Sequence, residues 1–291
     1  MIVPLPHTLD AWSMYGLITR LISKDKKPLH AEVSLDFSTL AFIKPVGITI
    51  LSNLIELLKK QGVKVSFRDH NGSSAAIRYL DDSLFFEQYL KKKIFELSEV
   101  RATTLPLRLL KHQETSSWLE YKLIPWLGSR LNMSSRSFGT IRTCLQELFN
   151  NINDHAREDI GSIFVQQYPN KKLINIALSD FGVGIPYNVN KIATPVHDGE
   201  AILFATREGF TSRSNPRNGG AGLDIFLNTL SKNKGKAIIY SNLGALSCSP
   251  TTRRPWLAMD GQYYPGTLFD INFRTDTIEI SDESEEERFE W

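Results

Sequence analysis

The sequence has few of the features that mark membrane, secreted or metal-binding proteins. It contains two cysteines and no CxxC pair, and its six histidines show no metal-ligand spacing, which argues against a structural zinc site. No apolar run approaches the roughly 18 residues that span a bilayer. The N-terminal stretch carries charges and no small-residue cleavage site, so we expect no signal peptide. A formal net charge of +2 gives no global attraction to nucleic acid or to a membrane surface.

What remains is the composition of a soluble globular protein. Hydrophobic residues make up 42% of the chain and charged residues 23%. A length of 291 residues allows two domains of ordinary size. We expect Cys144 and Cys248 to be free, buried thiols, which is typical of a cytoplasmic protein. The acidic segment 276–291 is predicted to be a solvated tail.

The first half of the sequence alternates between strand and helix patterns. Ala31–Ser38 alternates apolar and polar residues as a strand does, and Val63–Phe67 reads as another strand. Between them, Pro45–Gly62 has apolar residues at helical spacing. This β-α-β order predicts a partly parallel sheet with a right-handed crossover. Arg101–Arg108 shows no periodicity and is interpreted as an interdomain linker.

The run from Leu35 to Phe67 resembles the STAS domain of anti-sigma-factor antagonists and anion transporters. The resemblance implies a STAS-like βαβ domain over residues 1–108, and a generic βαβ element is the alternative. Phosphorylated members of that family carry Ser or Thr just before the loop glycine. Here Lys44, Pro45 and Val46 precede Gly47, so phosphorylation at the family's usual position is excluded.

A helix with a chemically distinctive polar face is predicted over Gly139–Ala156. Glu147, Asn151 and His155 recur every fourth residue and therefore share one face. An amide oxygen can ligate Mg²⁺, and a carboxylate one turn earlier can orient or deprotonate a nucleophile that attacks a phosphate. Asn150 is a competing candidate for the metal ligand. Taken alone, this pattern is also typical of an ordinary solvated helix face.

A predicted hairpin, Ile163–Tyr168 with Leu173–Leu178, leads directly into a glycine-rich loop. The loop is Asp180-Phe-Gly182-Val-Gly184, and glycines at these positions let the backbone turn tightly and pass close to a ligand. A carboxylate only accepts hydrogen bonds, so at this position it would select a ligand group that donates them.

A second glycine-rich segment precedes a predicted helix at Leu223–Leu230. Its residues 209–222 read GFTSRSNPRNGGAG. Backbone N–H groups at a helix N-terminus bind phosphates, and Arg213 and Arg217 are the cationic candidates for the γ-phosphate. Further along, Pro265–Phe273 alternates as a strand and includes Thr267.

In this order, the three motifs resemble the nucleotide site of the GHKL (Bergerat-fold) ATPases. That class contains gyrase, heat-shock chaperones, mismatch-repair ATPases, histidine kinases and anti-sigma-factor serine kinases. The resemblance spans about Ser117–Arg274 and implies an α/β sandwich over residues 109–275, in which a mixed sheet is covered by helices on one face. Its implied ligands are ATP and Mg²⁺. The implied site residues are Glu147 as catalytic base, Asn151 as metal ligand, His155, Asp180 at the adenine amine with Gly182 and Gly184, the lid residues Thr211, Arg213, Gly219, Gly220, Gly222 and Leu223, and Thr267 beside adenine.

One position departs from the family pattern. Asp224 stands where GHKL proteins often have a further glycine. A carboxylate near phosphates is unfavourable unless it faces away from them.

Three functions are compatible with this reading. The first is an ATPase that acts as a nucleotide-controlled switch for a protein partner, which Glu147 favours because histidine kinases of this class generally lack that base. The second is a serine/threonine kinase of the anti-sigma-factor type, and the third is a non-catalytic ATP-binding module. The STAS-like half is interpreted as a partner-binding or self-association module, and a homodimer is one form that such association could take. No motif indicates nucleic-acid binding.

Overall fold

The structure is a computed structural model. It describes the backbone of residues 1–110, 116–131, 135–155, 160–207, 222–259 and 262–277. Within the helix at 135–155, the side chains of residues 135–137, 147 and 150–155 are outside this description, as is residue 222 in the later helix.

The N-terminal half contains a small parallel sheet. Its strands are β1 (Ile2–Pro4), β3 (Glu32–Asp36) and β5 (Lys64–Arg68), in the order β1-β3-β5. Helix α2 (Pro45–Lys60) connects β3 to β5, which confirms the predicted β-α-β unit with its parallel pairing. Pro45 occupies the first turn, where no backbone donor is needed, and Gly62 ends the segment with φ +79°.

Smaller elements complete this half. Strands β2 (Thr8–Leu9) and β4 (Phe42–Ile43) form a short parallel pair. Helices α1 (Met14–Leu21), α3 (Ala75–Asp82) and α4 (Phe85–Leu90) pack around α2 and the small sheet. Each buries apolar side chains against its neighbours.

Seven strands form one large sheet in the part of the chain that the structure describes. The order is β11-β10-β9-β12-β8-β7-β6, and every neighbouring pair is antiparallel. The strands are β6 (Thr104–Leu109), β7 (Gly161–Tyr168), β8 (Leu173–Asp180), β9 (Lys236–Asn242), β10 (Gly244–Cys248), β11 (Arg253–Leu257) and β12 (Tyr264–Arg274).

Two expectations about this sheet are corrected. The sheet was expected to be mixed, but short turns join β7 to β8 and β9 to β10, and a short turn can connect only antiparallel neighbours. The segment Arg101–Arg108 was expected to be a linker, but it supplies most of edge strand β6, paired with β7. The predicted domain boundary after residue 108 therefore falls within a strand.

One face of the large sheet is covered by helices of the second half. They are a π-helical turn (Leu119–Leu123), α5 (Ile124–Gly128), α6 (Ser135–His155) and α9 (Gly222–Lys232). Two shorter helices, α7 (Ile185–Val189) and α8 (Asp198–Ala205), lie near strands β9 to β11. These positions confirm the helices predicted at Gly139–Ala156 and Leu223–Leu230.

The other face of the large sheet is covered as well, which corrects the expectation of helices on one face only. Helix α2 packs on β7 and β8, and Phe164, Ala177 and Leu268 join the same apolar cluster as α2. Both faces of β7 and β8 are therefore buried, since residues 161–166 and 174–180 are buried at consecutive positions. Strands buried on both faces read as continuous apolar runs rather than alternating ones.

Candidate functional site

The candidate site lies at one end of three neighbouring strands of the large sheet, β8, β12 and β9. Asp180 at the end of β8 pairs with Thr267 of β12, which pairs in turn with Ser241 of β9. Side chains alternate along a strand, and Leu178 and Phe269, two residues away, belong to the core beneath the helices. The side chains of Asp180, Thr267 and Ser241 therefore share the face of the sheet that the helices of the second half cover.

Asp180 is the central residue of this group. Asp180 is only 4% exposed, and its Oδ1 accepts a hydrogen bond of 2.7 Å from the Gly182 N–H. Burial raises the pKa of Asp180 to about 7, although the Gly182 N–H, the Lys26 ammonium and the Thr267 N–H each act to lower it. A carboxylate this strongly desolvated in a defined polar surrounding is characteristic of functional sites.

The loop after Asp180 is held in a conformation that requires glycine. Gly184 has φ +84°, and a Cβ there would lie 2.9 Å from Ser241 Oγ. On the neighbouring strand, Gly266 has φ +150°, and a Cβ would lie 2.2 Å from the Asp180 carbonyl oxygen. The backbone of 180–184 is thus packed against both strands, and its predicted close approach to a ligand stays a prediction.

Ser241 organises the polar floor beside Asp180. Its Oγ donates to the Gly266 carbonyl at 2.7 Å and accepts from the Ile185 N–H at 2.9 Å. Its oxygen lies 3.3 Å from Thr267 Oγ1. The sequence analysis identified Thr267 but missed Ser241, because a serine within a β-strand gives no signal of its own.

Helix α6 brings the predicted catalytic face alongside the sheet. Its backbone is helical from Ser135 to His155, so Glu147, Asn151 and His155 share one face as expected. Cys144 and Leu148, which lie next to these positions at helical spacing, are buried in the core between α6 and the sheet. The side chains of Glu147, Asn151, His155 and the competing Asn150 are outside the described residues, so their roles stay predictions.

The predicted lid falls mainly outside the described part of the chain. Thr211, Arg213, Arg217, Gly219 and Gly220 all belong to residues 208–221. The helix that follows this segment begins at Gly222, and Leu223 is partly buried against the core under the helices.

Asp224, the departure from the family pattern, has a definite partner. Its Oδ1 lies 2.8 Å from Nη2 of Arg253 on β11. The same guanidinium donates through Nη1 to the Thr206 carbonyl at 2.5 Å and through Nη2 to Asn228 Oδ1 at 2.7 Å. Arg253 therefore ties residues on both sides of 208–221 to the sheet, and the Asp224 carboxylate is neutralised by this pair.

A residue from the far end of the sequence also reaches the site. Lys26 Nζ donates to the Phe181 carbonyl at 2.8 Å and to the Gly182 carbonyl. No sequence signal points to it, because 155 residues separate Lys26 from Phe181.

The described residues include no group of three or more His, Cys, Asp or Glu that could hold a metal ion. The side chain of Asn151, the predicted Mg²⁺ ligand, is not among them. No helix in the described ranges is long and apolar enough to cross a membrane. Cys144 and Cys248 are buried and form no disulfide, as predicted, and burial raises the pKa of Cys248 to about 11.

Comparison of the chain with protein-family models gives no match, and comparison with curated proteins gives none either. The function of the site therefore has to be argued from its own residues and geometry.

Proposed function

We propose that this protein binds ATP with Mg²⁺ at the end of the large sheet and works as a GHKL-type ATPase, in which the nucleotide controls binding of a protein partner. The observation that carries the proposal is Asp180, a buried carboxylate at the mouth of a glycine-rich loop. Its raised pKa means that the protein stabilises the ionised carboxylate less well than water does.

A ligand that donates a hydrogen bond to this carboxylate would supply the missing stabilisation. The exocyclic amine of adenine is such a donor, whereas guanine presents a carbonyl oxygen at the equivalent edge. The Thr267 hydroxyl lies on the strand paired with Asp180 and can donate to a ring nitrogen directly or through water, while Ser241 holds the backbone beside it. This chemistry favours an adenine nucleotide.

The helices above the sheet support a phosphate site on the same face. Helix α9 begins at Gly222 and packs beside α6. The first N–H groups of a helix have no partner within the helix itself and bind phosphate well, and α6 carries Glu147 and Asn151 one turn apart. We infer that Asn151 ligates Mg²⁺ and that Glu147 activates the attacking water.

The packing of the N-terminal half favours a switch over a kinase that acts on its own STAS-like domain. Val46 is only 2% exposed, and a Cβ at Gly47 would lie 2.4 Å from the Leu9 carbonyl oxygen. The segment that corresponds to the family's phosphorylation position is thus the first turn of α2, covered by β2, and has no hydroxyl group to modify just before Gly47.

Nucleotide binding is tested by thermal unfolding with Mg²⁺ and either a non-hydrolysable ATP analogue or its GTP counterpart. At a concentration about 100 times Kd, ATP should stabilise the fold by about 2.7 kcal/mol. Asp180→Asn should abolish most of this gain, while Asp69→Asn, the same change at an exposed position, should not. Equal stabilisation by GTP, or none by ATP, contradicts the adenine assignment.

Catalysis is tested separately from binding. Glu147→Ala should retain ATP affinity and lose phosphate release, whereas Asn151→Ala should weaken Mg²⁺-dependent binding itself. Undiminished phosphate release by Glu147→Ala would show that Glu147 is not the base. Absence of phosphate release by the wild type, with or without a partner, would leave ATP as a regulatory ligand only.

A further inference from the structure

The turn that carries Lys26 is built to hold this residue in one conformation. Ser23 N–H donates to the Lys27 carbonyl and Lys26 N–H donates to the Ser23 carbonyl, each at 2.9 Å. The Ser23 hydroxyl accepts from the Lys27 N–H at 3.2 Å. Lys26 itself has φ +61°, an uncommon and costly conformation for a residue other than glycine.

The Lys26 side chain is linked to Asp180 through a single peptide group. Lys26 Nζ donates to the Phe181 carbonyl, and the N–H of that same peptide, which belongs to Gly182, donates to Asp180 Oδ1 at 2.7 Å. A second bond from Lys26 to the Gly182 carbonyl fixes the next peptide as well. Hydrogen bonds in such a chain polarise and strengthen one another.

The charged groups around Asp180 also indicate that Lys26 acts on this carboxylate. In the described part of the chain, the charged or titratable groups that act on Asp180 are the Lys26 ammonium and the Tyr264 phenol. The side chain of Glu147 on α6 lies outside that part. Burial raises the pKa of Tyr264, so its phenol stays neutral, and Lys26 is the cation that favours the ionised carboxylate.

We propose that Lys26 is a positioning residue of the nucleotide site, which holds the Phe181–Gly182 peptide so that Asp180 is ionised and oriented to accept the base. Nucleotide affinity then depends on a turn in the N-terminal half. The part that concerns nucleotide rests on the proposed function, while the link between Lys26 and Asp180 does not.

The link is tested first without nucleotide. Protein labelled with ¹³C at aspartate side-chain carboxyls is titrated from pH 5 to pH 9, and Asp180→Asn assigns the Asp180 signal. In Lys26→Met the midpoint of this signal should move to higher pH, and in Lys26→Arg it should stay near the wild-type value. Lys24→Met, at an exposed position in the same turn, should leave it unchanged.

The affinity for an ATP analogue is then measured on the same variants. If the midpoint rises by about one pH unit, affinity below the midpoint should fall about tenfold in Lys26→Met and be restored in Lys26→Arg. The loss should shrink as the pH rises above the midpoint. Lys26→Gln replaces Lys26→Met if the latter does not fold.

The outcomes separate the two proposals. An unchanged Asp180 midpoint in Lys26→Met overturns the positioning role, even if affinity falls, because the residue would then act only on folding or packing. A shifted midpoint in a protein whose wild type binds no nucleotide upholds the link between Lys26 and Asp180 and overturns the proposed function.

Discussion

Asp180 should impose a pH dependence on stability that one substitution removes. Its pKa is about 7 in the folded protein, against an ordinary value of 3.8. Because the folded state holds this proton more tightly, the favourable contribution of Asp180 is complete below about pH 4 and is lost as the pH rises through 7. Asp180→Asn retains a side-chain oxygen that can accept from the Gly182 N–H but never carries the charge.

The expected magnitude follows from the separation of the two pKa values. About 3 pH units at about 1.4 kcal/mol per unit give about 4 kcal/mol between the acid and alkaline limits. About 2–3 kcal/mol of this falls between pH 5 and pH 8.5. As the pH rises from 5 to 8.5, the free energy of unfolding of Asp180→Asn should therefore increase by that amount relative to the wild type.

The assay is urea unfolding of wild type and variant at several pH values between 5 and 8.5, without nucleotide. The difference between the two proteins cancels the other carboxylates, which titrate alike in both. Asp69→Asn serves as control, since Asp69 is exposed, and its difference from the wild type should not vary with pH. A constant difference between Asp180→Asn and wild type would refute the reasoning, because Asp180 would then have an ordinary pKa.

Three further predictions concern residues around the site. Asn53→Leu should destabilise the fold by about 2–4 kcal/mol in urea unfolding, because Asn53 bonds two buried serines of β7 and β8. Gly266→Ala should remove ATP-dependent thermal stabilisation, since its Cβ would displace the Asp180 backbone. Arg253→Met should cost about 1–2 kcal/mol in urea unfolding, because the half-buried Asp224 loses its partner.

Each of these three has a control within the chain. Ser52 is buried on α2 beside Asn53 but bonds Tyr89, so Ser52→Ala should leave contacts to the large sheet intact. Gly16 has no heavy atom within 4 Å of an added Cβ, so Gly16→Ala should preserve the ATP response. Arg254, the neighbour of Arg253, is exposed; an Arg254→Met variant that loses as much stability as Arg253→Met would contradict the role given to the Arg253 pair.

Local patterns in the sequence predicted the elements that local forces determine. The β-α-β unit around α2, the β7–β8 hairpin and the spacing of Glu147 and Asn151 on α6 all depend on neighbouring residues, and the structure has these elements. The glycine loop at Asp180 was also recognised, because glycine is required where the backbone turns tightly beside another strand.

Features created by distant contacts were missed. Strands β7 and β8 are buried on both faces, whereas helices were expected on only one face of the sheet, because the covering of the other face by α2 depends on packing between distant segments. Lys26, Ser241 and Arg253 reach the site across long stretches of sequence, and a single lysine, serine or arginine carries no positional pattern. Only the fold brings them together.

The ties made by Arg253 have a consequence for how this protein could diversify. Because one guanidinium anchors Thr206 and Asp224 to β11, the connection between them begins and ends at fixed points. Closing a longer connection between fixed ends costs little, about 0.6 kcal/mol for each doubling of length. Insertions between residues 207 and 222 should therefore leave the folding of both halves almost unaffected, so this segment can acquire new contacts while the sheet beneath it is preserved.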